Sequence, residues 1–469
     1  MRILIHGLNF APELVGVGKF TGDMAEWLAE RGHEVRVVTA PPFNPASQVF
    51  AGFSAWSYRR EDRVYSTPDN SANPDPIRGA NVSVCNAKAR DDGNPSASTR
   101  SGVVVSEVGS REGVTGAGHL SIFRCPLWVP SRPSGMKRVF HLASFAFTSL
   151  WNMLRQVPWH PEVVLVIEPT LLCAPTAWLT GWLSGARTWF HVQDFEVDAA
   201  FDLGLLTSPR FRRLAAFVEG SCMQGFDRVS TISEKMSLRL IQKGVEASRC
   251  LLFPNWVDTS AIFPLVSPSS LRRELGISPK AVVALYSGSM AHKQGVEVLA
   301  EVARELRSRD DLHFVFCGEG PVKSILADLT AQIKSVHLLP LQPLERLNDL
   351  LNLADIHLLP QRASAADLVM PSKLTGMLAS GRPIVASAPT GTQLAAAVDG
   401  RGIVVPPEDV SSFVWAIDHL ASHAELREKL GQSARACAVA TLDRKAVLLR
   451  FEQELLRLIS GASASRMLN

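Results

Sequence analysis

The sequence lacks a run of about 20 apolar residues, which a membrane-spanning helix needs. Two of its apolar stretches without charge, 139–154 and 171–186, are too short, and the second is interrupted by Pro175. The first ten residues, MRILIHGLNF, show no small-residue cleavage site for secretion. We therefore expect a cytoplasmic chain with no spanning helix.

Paired cysteines and a strong charge of one sign are also missing. The seven cysteines are scattered, odd in number and form no CxxC motif, which argues against a disulfide framework or a zinc site. Lys and Arg number 48 against 45 Asp and Glu, a formal net charge of +3. A dedicated nucleic-acid binder is therefore not expected, and no metal site is predicted.

What the sequence does contain is an alternation of apolar strands with amphipathic helices, repeated in two blocks. With 469 residues, 46% of them hydrophobic, the chain is long enough for two full domains. The predicted strands are 2–8, 35–39, 163–167, 187–191 and 228–232, then 282–288, 313–317, 336–339, 356–359 and 383–387. This pattern predicts an α/β protein with two parallel-sheet domains, joined near 254–258.

Residues 61–119 break this alternation. They are rich in Pro, Gly, Ser, Asn and Asp, and Tyr65 is their only large aromatic residue. Such a segment cannot bury enough apolar surface to offset its loss of conformational entropy. We expect 61–119 to be a disordered insertion between two strands.

The first candidate binding loop follows the first strand and contains Gly16 and Gly18 at the start of a helix. Glycines there let the backbone approach an anion, although a plain turn would use the same residues. A dinucleotide-binding site would need an acidic residue at the end of the second strand. That strand ends in VTAPP at 38–42, so the dinucleotide interpretation is disfavoured.

Two further loops in the second block have the composition of anion sites. Gly288, Ser289 and Lys293 join a strand to a helix, where a lysine can neutralise a diphosphate or simply be solvated. Pro371, Ser372 and Lys373 look like another helix start, and Asp367 just before them could bind sugar hydroxyls or cap the helix.

Two features of the first block suggest an acceptor side. His191 and Asp194 follow a predicted strand and could orient a hydroxyl or accept its proton, although a histidine at a strand end is often structural. Segment 136–155 predicts a helix with a wide apolar face and basic flanks. It suits either the surface of an anionic membrane leaflet or the interior of the domain.

Taken together, these segments resemble the family 4 glycosyltransferases, which have the GT-B fold. The motifs that carry the resemblance are the Gly16/Gly18 loop, RGHEVRVVT at 31–39, FPNWVD at 253–258, GSMAHKQG at 288–295 and MPSKLTGMLASGRP at 370–383. Within the family, 10–23, 191–199, 253–256 and 370–379 resemble a fucosyltransferase of colanic acid biosynthesis.

The resemblance implies two Rossmann-like domains facing a cleft: an acceptor domain at 1–255, a donor domain at 256–445 and a final helix at 446–469 that returns to the first. It implies a retaining, metal-independent transfer of a hexose, with fucose from GDP-fucose as the first candidate, to a lipid-diphosphate-linked glycan. The enzyme would work in exopolysaccharide assembly at the inner leaflet, as a peripheral membrane protein without a cofactor.

The family pattern also suggests residue roles. Gly16, Gly18, Gly288, Ser289, Lys293, Gly318, Pro371, Ser372 and Lys373 would contact the donor, and His191 would lie near the transferred sugar, with Asp194 beside it as a second catalytic candidate. Two departures stand out: Ser289 replaces an arginine, and the family's E-x7-E pair is replaced by Leu368 and Gly376. Asp367 is the expected surviving carboxylate. A nucleotide-sugar epimerase and a non-catalytic nucleotide-sugar-binding protein stay open as alternatives.

Overall fold

The computed structural model describes residues 1–13, 16–44, 48–65, 118–130, 136–169, 171–195, 209–291, 294–363 and 371–467. By its internal contacts the chain divides into two compact units. Unit 1 comprises Met1–His191, Gly225–Asp227 and Leu458–Asn469, and unit 2 comprises Val192–Gln224 and Arg228–Arg457. The expected domain ranges 1–255, 256–445 and 446–469 differ from these units and stay a prediction.

The first sheet has the strand order β3-β4-β2-β1-β5-β6-β7-β8. Its strands are β1 (Arg2–Gly7), β2 (Glu34–Thr39), β3 (Arg59–Tyr65), β4 (Gly118–Arg124), β5 (Val163–Ile167), β6 (Arg187–Val192), β7 (Arg228–Thr231) and β8 (Cys250–Leu252). Only β3 pairs antiparallel, with β4, among the described pairs of this sheet. The central strands are almost fully buried, as expected where helices cover both faces of a parallel sheet.

The second sheet lies entirely in unit 2, with the order β11-β10-β9-β12-β13-β14. Its strands are β9 (Val282–Ser287), β10 (Leu312–Cys317), β11 (Val336–Leu339), β12 (Ile356–Leu359), β13 (Ile384–Ser387) and β14 (Gly402–Val405). All of these pairs are parallel. The α/β class with two parallel-sheet blocks is confirmed.

The helices alternate with the strands, as the sequence periodicity predicts. They are α1 (Gly16–Glu30), α2 (Met136–Leu154), α3 (Ala174–Ser184), α4 (Pro209–Gln224), α5 (Glu234–Gln242), α6 (Ser270–Glu274), α7 (Val298–Glu305), α8 (Lys323–Thr330), α9 (Leu347–Leu353), α10 (Lys373–Ala379), α11 (Gln393–Val398), α12 (Val410–Ser422), α13 (Ala424–Cys437) and α14 (Arg444–Met467). In the part of the chain described, no helix has both the length and the apolar character to cross a membrane.

The expectation that 61–119 is a disordered insertion is wrong at both ends. Residues up to Tyr65 belong to β3, and β4 begins at Gly118. The polar sequence RREDRVY forms an edge strand because Glu61 pairs with buried Arg124 on β4. Alternation of buried and more exposed residues along β4 places Leu120 and Ile122 in the core. Residues 66–117 lie outside the described ranges.

Candidate functional site

In unit 1, the loop after β1 is organised around a buried carboxylate, Glu13. Its Oε1 accepts hydrogen bonds from the backbone N–H groups of Phe43 and Asn44, both at 3.0 Å. Its Oε2 accepts a bond from Asn9 Nδ2 at 2.9 Å. Burial raises the pKa of Glu13 above its ordinary value, and these hydrogen bonds act in the opposite direction. Glu13 therefore fastens the loop after β1 to the loop after β2.

The two glycines of this loop have different local reasons to be glycine. Gly18 is buried, and a Cβ there would lie 2.5 Å from Glu13 Oε2, so this position makes room for the carboxylate. Gly16 has φ +63°, a left-handed backbone conformation that favours glycine, and among the described residues the nearest atom to a Cβ there is Asn44 Nδ2 at 3.8 Å. Sequence reasoning missed Glu13, although an acidic residue inside a loop of small and apolar residues was the available signal.

The carboxyl end of β6 carries the predicted pair His191 and Asp194. His191 is only 3% exposed, and its carbonyl oxygen accepts a hydrogen bond from the backbone N–H of Glu168. Asp194 is half-buried and belongs to unit 2. Between them, Gln193 exchanges two amide hydrogen bonds of 3.1 Å with Asn255. These bonds join Gln193 to the FPNW motif at 253–256, and both residues belong to unit 2.

In unit 2, the loops that follow β9 and β10 lie against each other backbone to backbone. Gly288 N donates to Cys317 O, and Met290 N donates to Glu319 O, both at 2.9 Å. A Cβ on Gly318 would lie 1.9 Å from Gly288 O, and one on Gly320 would lie 2.5 Å from Met290 O. Since Gly288, Gly318 and Gly320 also have φ between +133° and +151°, no other residue fits these positions without strain.

Lys373, the first residue of α10, reaches the same loops. An ideal Cβ built on Gly288 would lie 3.4 Å from Lys373 Cδ and 3.8 Å from Lys373 Nζ. The Nζ is inaccessible to solvent, lies 4.1 Å from the ring centroid of Tyr286 and has no hydrogen-bond partner among the described residues. Burial lowers the pKa of Lys373 from 10.5 to about 7.

The other predicted residues of unit 2 have mainly local roles in the structure. Ser289 contributes its carbonyl, which accepts a 2.5 Å bond from the Tyr286 hydroxyl. Pro371 and exposed Ser372 precede α10 as predicted, and Leu374 N donates to Pro371 O. The structure thus brings together Gly288, Gly318 and Lys373, whereas Lys293 and Asp367 lie outside the described residues.

Two fully buried histidines are structural. His6 on β1 bonds Ser149 of α2, and His357 on β12 bonds Ser380 just after α10. Burial lowers the pKa of both to about 3, so both are neutral. Within the described ranges, no group of three or more His, Cys, Asp or Glu side chains is placed to hold a metal ion.

Family comparisons decide the class of this chain. Residues 15–256 match the model of the glycosyl transferase 4-like domain, and residues 269–436 match that of the glycosyl transferases group 1. The chain belongs to the family 4 glycosyltransferases. Their two-block α/β architecture, the GT-B fold, is the one described above.

Sequence relatives include the colanic acid biosynthesis glycosyl transferase WcaI of Escherichia coli strain K12. The present chain is 36% identical to WcaI over 461 residues, which cover 96% of the present chain and 98% of WcaI. An α-D-kanosaminyltransferase of Streptomyces kanamyceticus is 29% identical over 170 residues, or 35% of the present chain and 43% of the relative.

Solved structures agree on the fold at low identity. Sucrose-phosphate synthase from Thermosynechococcus elongatus has a TM-score of 0.66 at 14% identity, covering 98% of the present glycosyltransferase and all of that chain. HepE of Anabaena, solved in complex with UDP, has a TM-score of 0.62 at 12% identity, covering 97% and 100%. These likenesses establish the GT-B architecture.

Proposed function

We propose that this glycosyltransferase takes its sugar from a nucleotide-sugar whose diphosphate binds beside Lys373 in unit 2. The observation that carries the proposal is the Lys373 ammonium, which is shielded from water and has no hydrogen-bond partner among the described residues. A buried, unpaired cation is costly, and an incoming anion removes that cost. A diphosphate at Lys373 would raise the pKa of this lysine back above 7.

The glycine loops support the same placement. Because Gly288 has no side chain, a ligand can lie close to the backbone at the carboxyl end of β9, beside Lys373. Gly318 and Gly320 let the loop after β10 pack against this loop. Ligands of parallel α/β sheets bind at this edge. Lys293 and Ser289 are further donor contacts in the proposal, as are Pro371 and Ser372.

In unit 1, we assign to Gly16 the approach of the backbone to an anionic group, and to Gly18 the shape of the same loop. His191 and Asp194 are the proposed groups near the transferred sugar and the acceptor hydroxyl, with Asp367 as a third carboxyl candidate. Catalysis then comes from holding the leaving diphosphate and positioning the acceptor, with retention of configuration and without a metal or cofactor.

The proposed donor is a GDP-sugar, with GDP-fucose as the first to test. The proposed acceptor is a lipid-diphosphate-linked glycan of exopolysaccharide assembly. The support for both is the sequence similarity to WcaI, a protein named for colanic acid biosynthesis, over nearly the whole chain.

The proposed place of work is the cytoplasmic face of the inner membrane, and the support is the surface of α2 and α3. These contacting helices expose large aromatic residues, including Phe147 at 79%, Trp182 at 68% and Trp151 at 57%. Segment 125–161 contains four Lys and Arg residues and no Asp or Glu. Exposed Trp and Phe beside basic residues suit the interface of an anionic leaflet. The opposite face of α2 packs into the domain, where Phe145 and Met153 are fully buried, as the alternative expectation for 136–155 has it.

A transfer assay tests the proposal. Purified full-length protein is mixed with radiolabelled GDP-fucose, or with other GDP- and UDP-sugars, and with lipid-diphosphate glycans in vesicles. We expect label to move to the lipid, and to do so far more slowly with Lys373→Met. Sugar inversion without acceptor would indicate the epimerase, and donor binding without transfer would indicate a non-catalytic protein.

A further inference from the structure

Unit 1 contains a cavity of about 310 Å³ to which no role has yet been assigned. It lies where the loop after β2 leads into β3. Its lining includes Gly52, Phe53, Ser54, Ser57, Arg59 and Arg124. Two hydroxyls and two guanidinium groups are an unusual concentration of hydrogen-bond donors for one cavity.

The topology places this cavity at the ligand-binding edge of the first sheet. Arg124 ends β4, which runs parallel to β2, and Arg59 begins β3, which runs antiparallel to β4. Arg59 and Arg124 are therefore direct cross-strand partners at the carboxyl end of the parallel strands. Arg124 also donates to Ala40 O after β2 and to Ala11 O in the loop after β1.

The cavity carries an excess of positive charge. The side chain of Arg124 is 2% exposed and that of Arg59 is 38% exposed, and both guanidinium carbons lie about 5 Å from the Phe53 ring centroid, at 4.9 and 5.0 Å. Among the described residues, Glu61 is the one carboxylate that both arginines contact, at 3.5 Å from Arg59 and 2.8 Å from Arg124. Two cations thus share one anion.

Contacts with the described part of the chain leave some N–H groups of each arginine unused. The bonds of Arg124 to Glu61, Ala40 and Ala11 occupy three of the five N–H groups of a guanidinium. Arg59 donates to Gly52 O through one terminal nitrogen. The remaining N–H groups suit the oxygen atoms of a phosphate, which arginine binds in a two-pronged geometry.

The loop that lines the cavity continues into the exposed aromatic surface. Trp56 is 73% exposed, and Tyr58 is 53% exposed and donates its hydroxyl hydrogen to Thr148 O on α2. Thr148 is the neighbour of Phe147, the most exposed aromatic residue of that helix. An anionic group in the cavity would therefore sit beside the face proposed to meet the lipid.

We infer that the cavity lined by Arg59 and Arg124 binds a phosphate or diphosphate group, supplied by the lipid-linked acceptor at the junction between its glycan and its lipid. This assignment rests on the proposed function, since it names the part of the acceptor that unit 1 recognises. Arg124 shapes the cavity through the two loops and the strand β3 that it joins, and Arg59 supplies the accessible charge.

The experiment measures binding without turnover, using full-length protein. The probes are inorganic diphosphate and neutral phospholipid vesicles that carry either a polyprenyl diphosphate or an equal charge of phosphatidylglycerol. The variants are Arg59→Gln, Arg59→Lys and the matched control Arg60→Gln. Arg60 is next in the same strand, and its side chain is exposed, lies over Phe123 and bonds Asp62 instead of lining the cavity.

We expect tighter binding to the diphosphate-lipid vesicles than to the equal-charge vesicles. Arg59→Gln should weaken this binding about tenfold, as expected for one lost charge-assisted contact, while Arg60→Gln changes it little and Arg59→Lys restores part of it. Equal losses in Arg59→Gln and Arg60→Gln, or no preference for diphosphate lipid in the wild type, would overturn the assignment. If Arg59→Gln weakened binding of inorganic diphosphate but not of the diphosphate-lipid vesicles, the assignment of the phosphate group to a lipid-linked acceptor would be wrong.

Donor binding is measured in parallel with a GDP-sugar. Arg59→Gln should leave it unchanged, because the proposed donor site lies in unit 2. A wild-type protein that binds diphosphate lipid but no nucleotide-sugar would contradict the proposed donor and leave the cavity assignment standing, so the two failures are distinguishable.

Discussion

Replacing Lys373 with methionine should make the ligand-free protein more stable at low pH. The pKa of Lys373 is about 7 in the folded protein, against 10.5 in the unfolded chain. The unfolded chain therefore binds more protons between these values, so this lysine's contribution to stability rises as pH increases from 7 to 10.5. Below pH 7 the full cost of the buried charge is present.

The size of the effect follows from the same values. The pKa of Lys373 falls from 10.5 to about 7 on folding, and each pKa unit corresponds to ~1.4 kcal/mol. The buried charge can therefore lower the free energy of unfolding by at most ~5 kcal/mol. Because the Lys373 side chain as a whole retains partial exposure, we expect about 1–3 kcal/mol at pH 6. Methionine keeps the apolar stem over Tyr286 and removes the charge.

Urea denaturation at pH 6 and pH 10 measures the difference in unfolding free energy, with exposed Lys280→Met as the control. The same variant should bind a GDP-sugar at least ~10-fold more weakly, because it loses the charge opposite the diphosphate. Equal stability of Lys373→Met and wild type at pH 6, together with unchanged GDP-sugar affinity, would show that Lys373 neither carries a costly buried charge nor binds the diphosphate.

Three further predictions concern the glycine loops, the aromatic surface and the loop after β1. Gly318→Ala should lower the free energy of unfolding, measured by urea denaturation, by ~2 kcal/mol or more and should weaken donor binding, because its Cβ would overlap Gly288 O. The control Gly461→Ala should change neither, because a Cβ there would lie in open space. Exchanging both Phe147 and Trp151 for serine should reduce flotation with anionic vesicles severalfold without lowering the melting temperature, because both side chains are exposed. Gly18→Ala should lower the melting temperature, because its Cβ would lie 2.5 Å from Glu13 Oε2.

Most of the fold was predictable because buried parallel strands read as short apolar runs. Strands β5, β11 and β12 have the predicted bounds, and the helix start after Ser372 is also confirmed. Strand β3 was missed because RREDRVY has no apolar run, and its stability comes from a partner strand distant in sequence, through the pairing of Glu61 with Arg124.

The site was only partly predictable from the sequence, because several of its contacts join residues that are distant in the chain. Glycine positions can be read from strand-to-helix loops, which is why Gly288 and Gly16 were named. The isolation of Lys373 Nζ depends on packing between segments almost 90 residues apart, Gly288 and Tyr286 against α10, and no local pattern encodes it. The same holds for the contacts of Glu13 with Phe43 and Asn44 and for the cavity between Arg59 and Arg124.

The most direct test of the donor site is proton uptake on binding a GDP-sugar, measured calorimetrically at pH 7 in buffers of different ionisation enthalpy. A nucleotide-sugar has no phosphate that titrates near this pH, so the protein supplies the signal. With a free pKa of about 7, Lys373 is about half protonated, and binding should take up ~0.5 proton per GDP-sugar in wild type and none in Lys373→Met. The absence of binding, or binding with equal proton uptake in both proteins, would contradict the assignment of the donor diphosphate to Lys373.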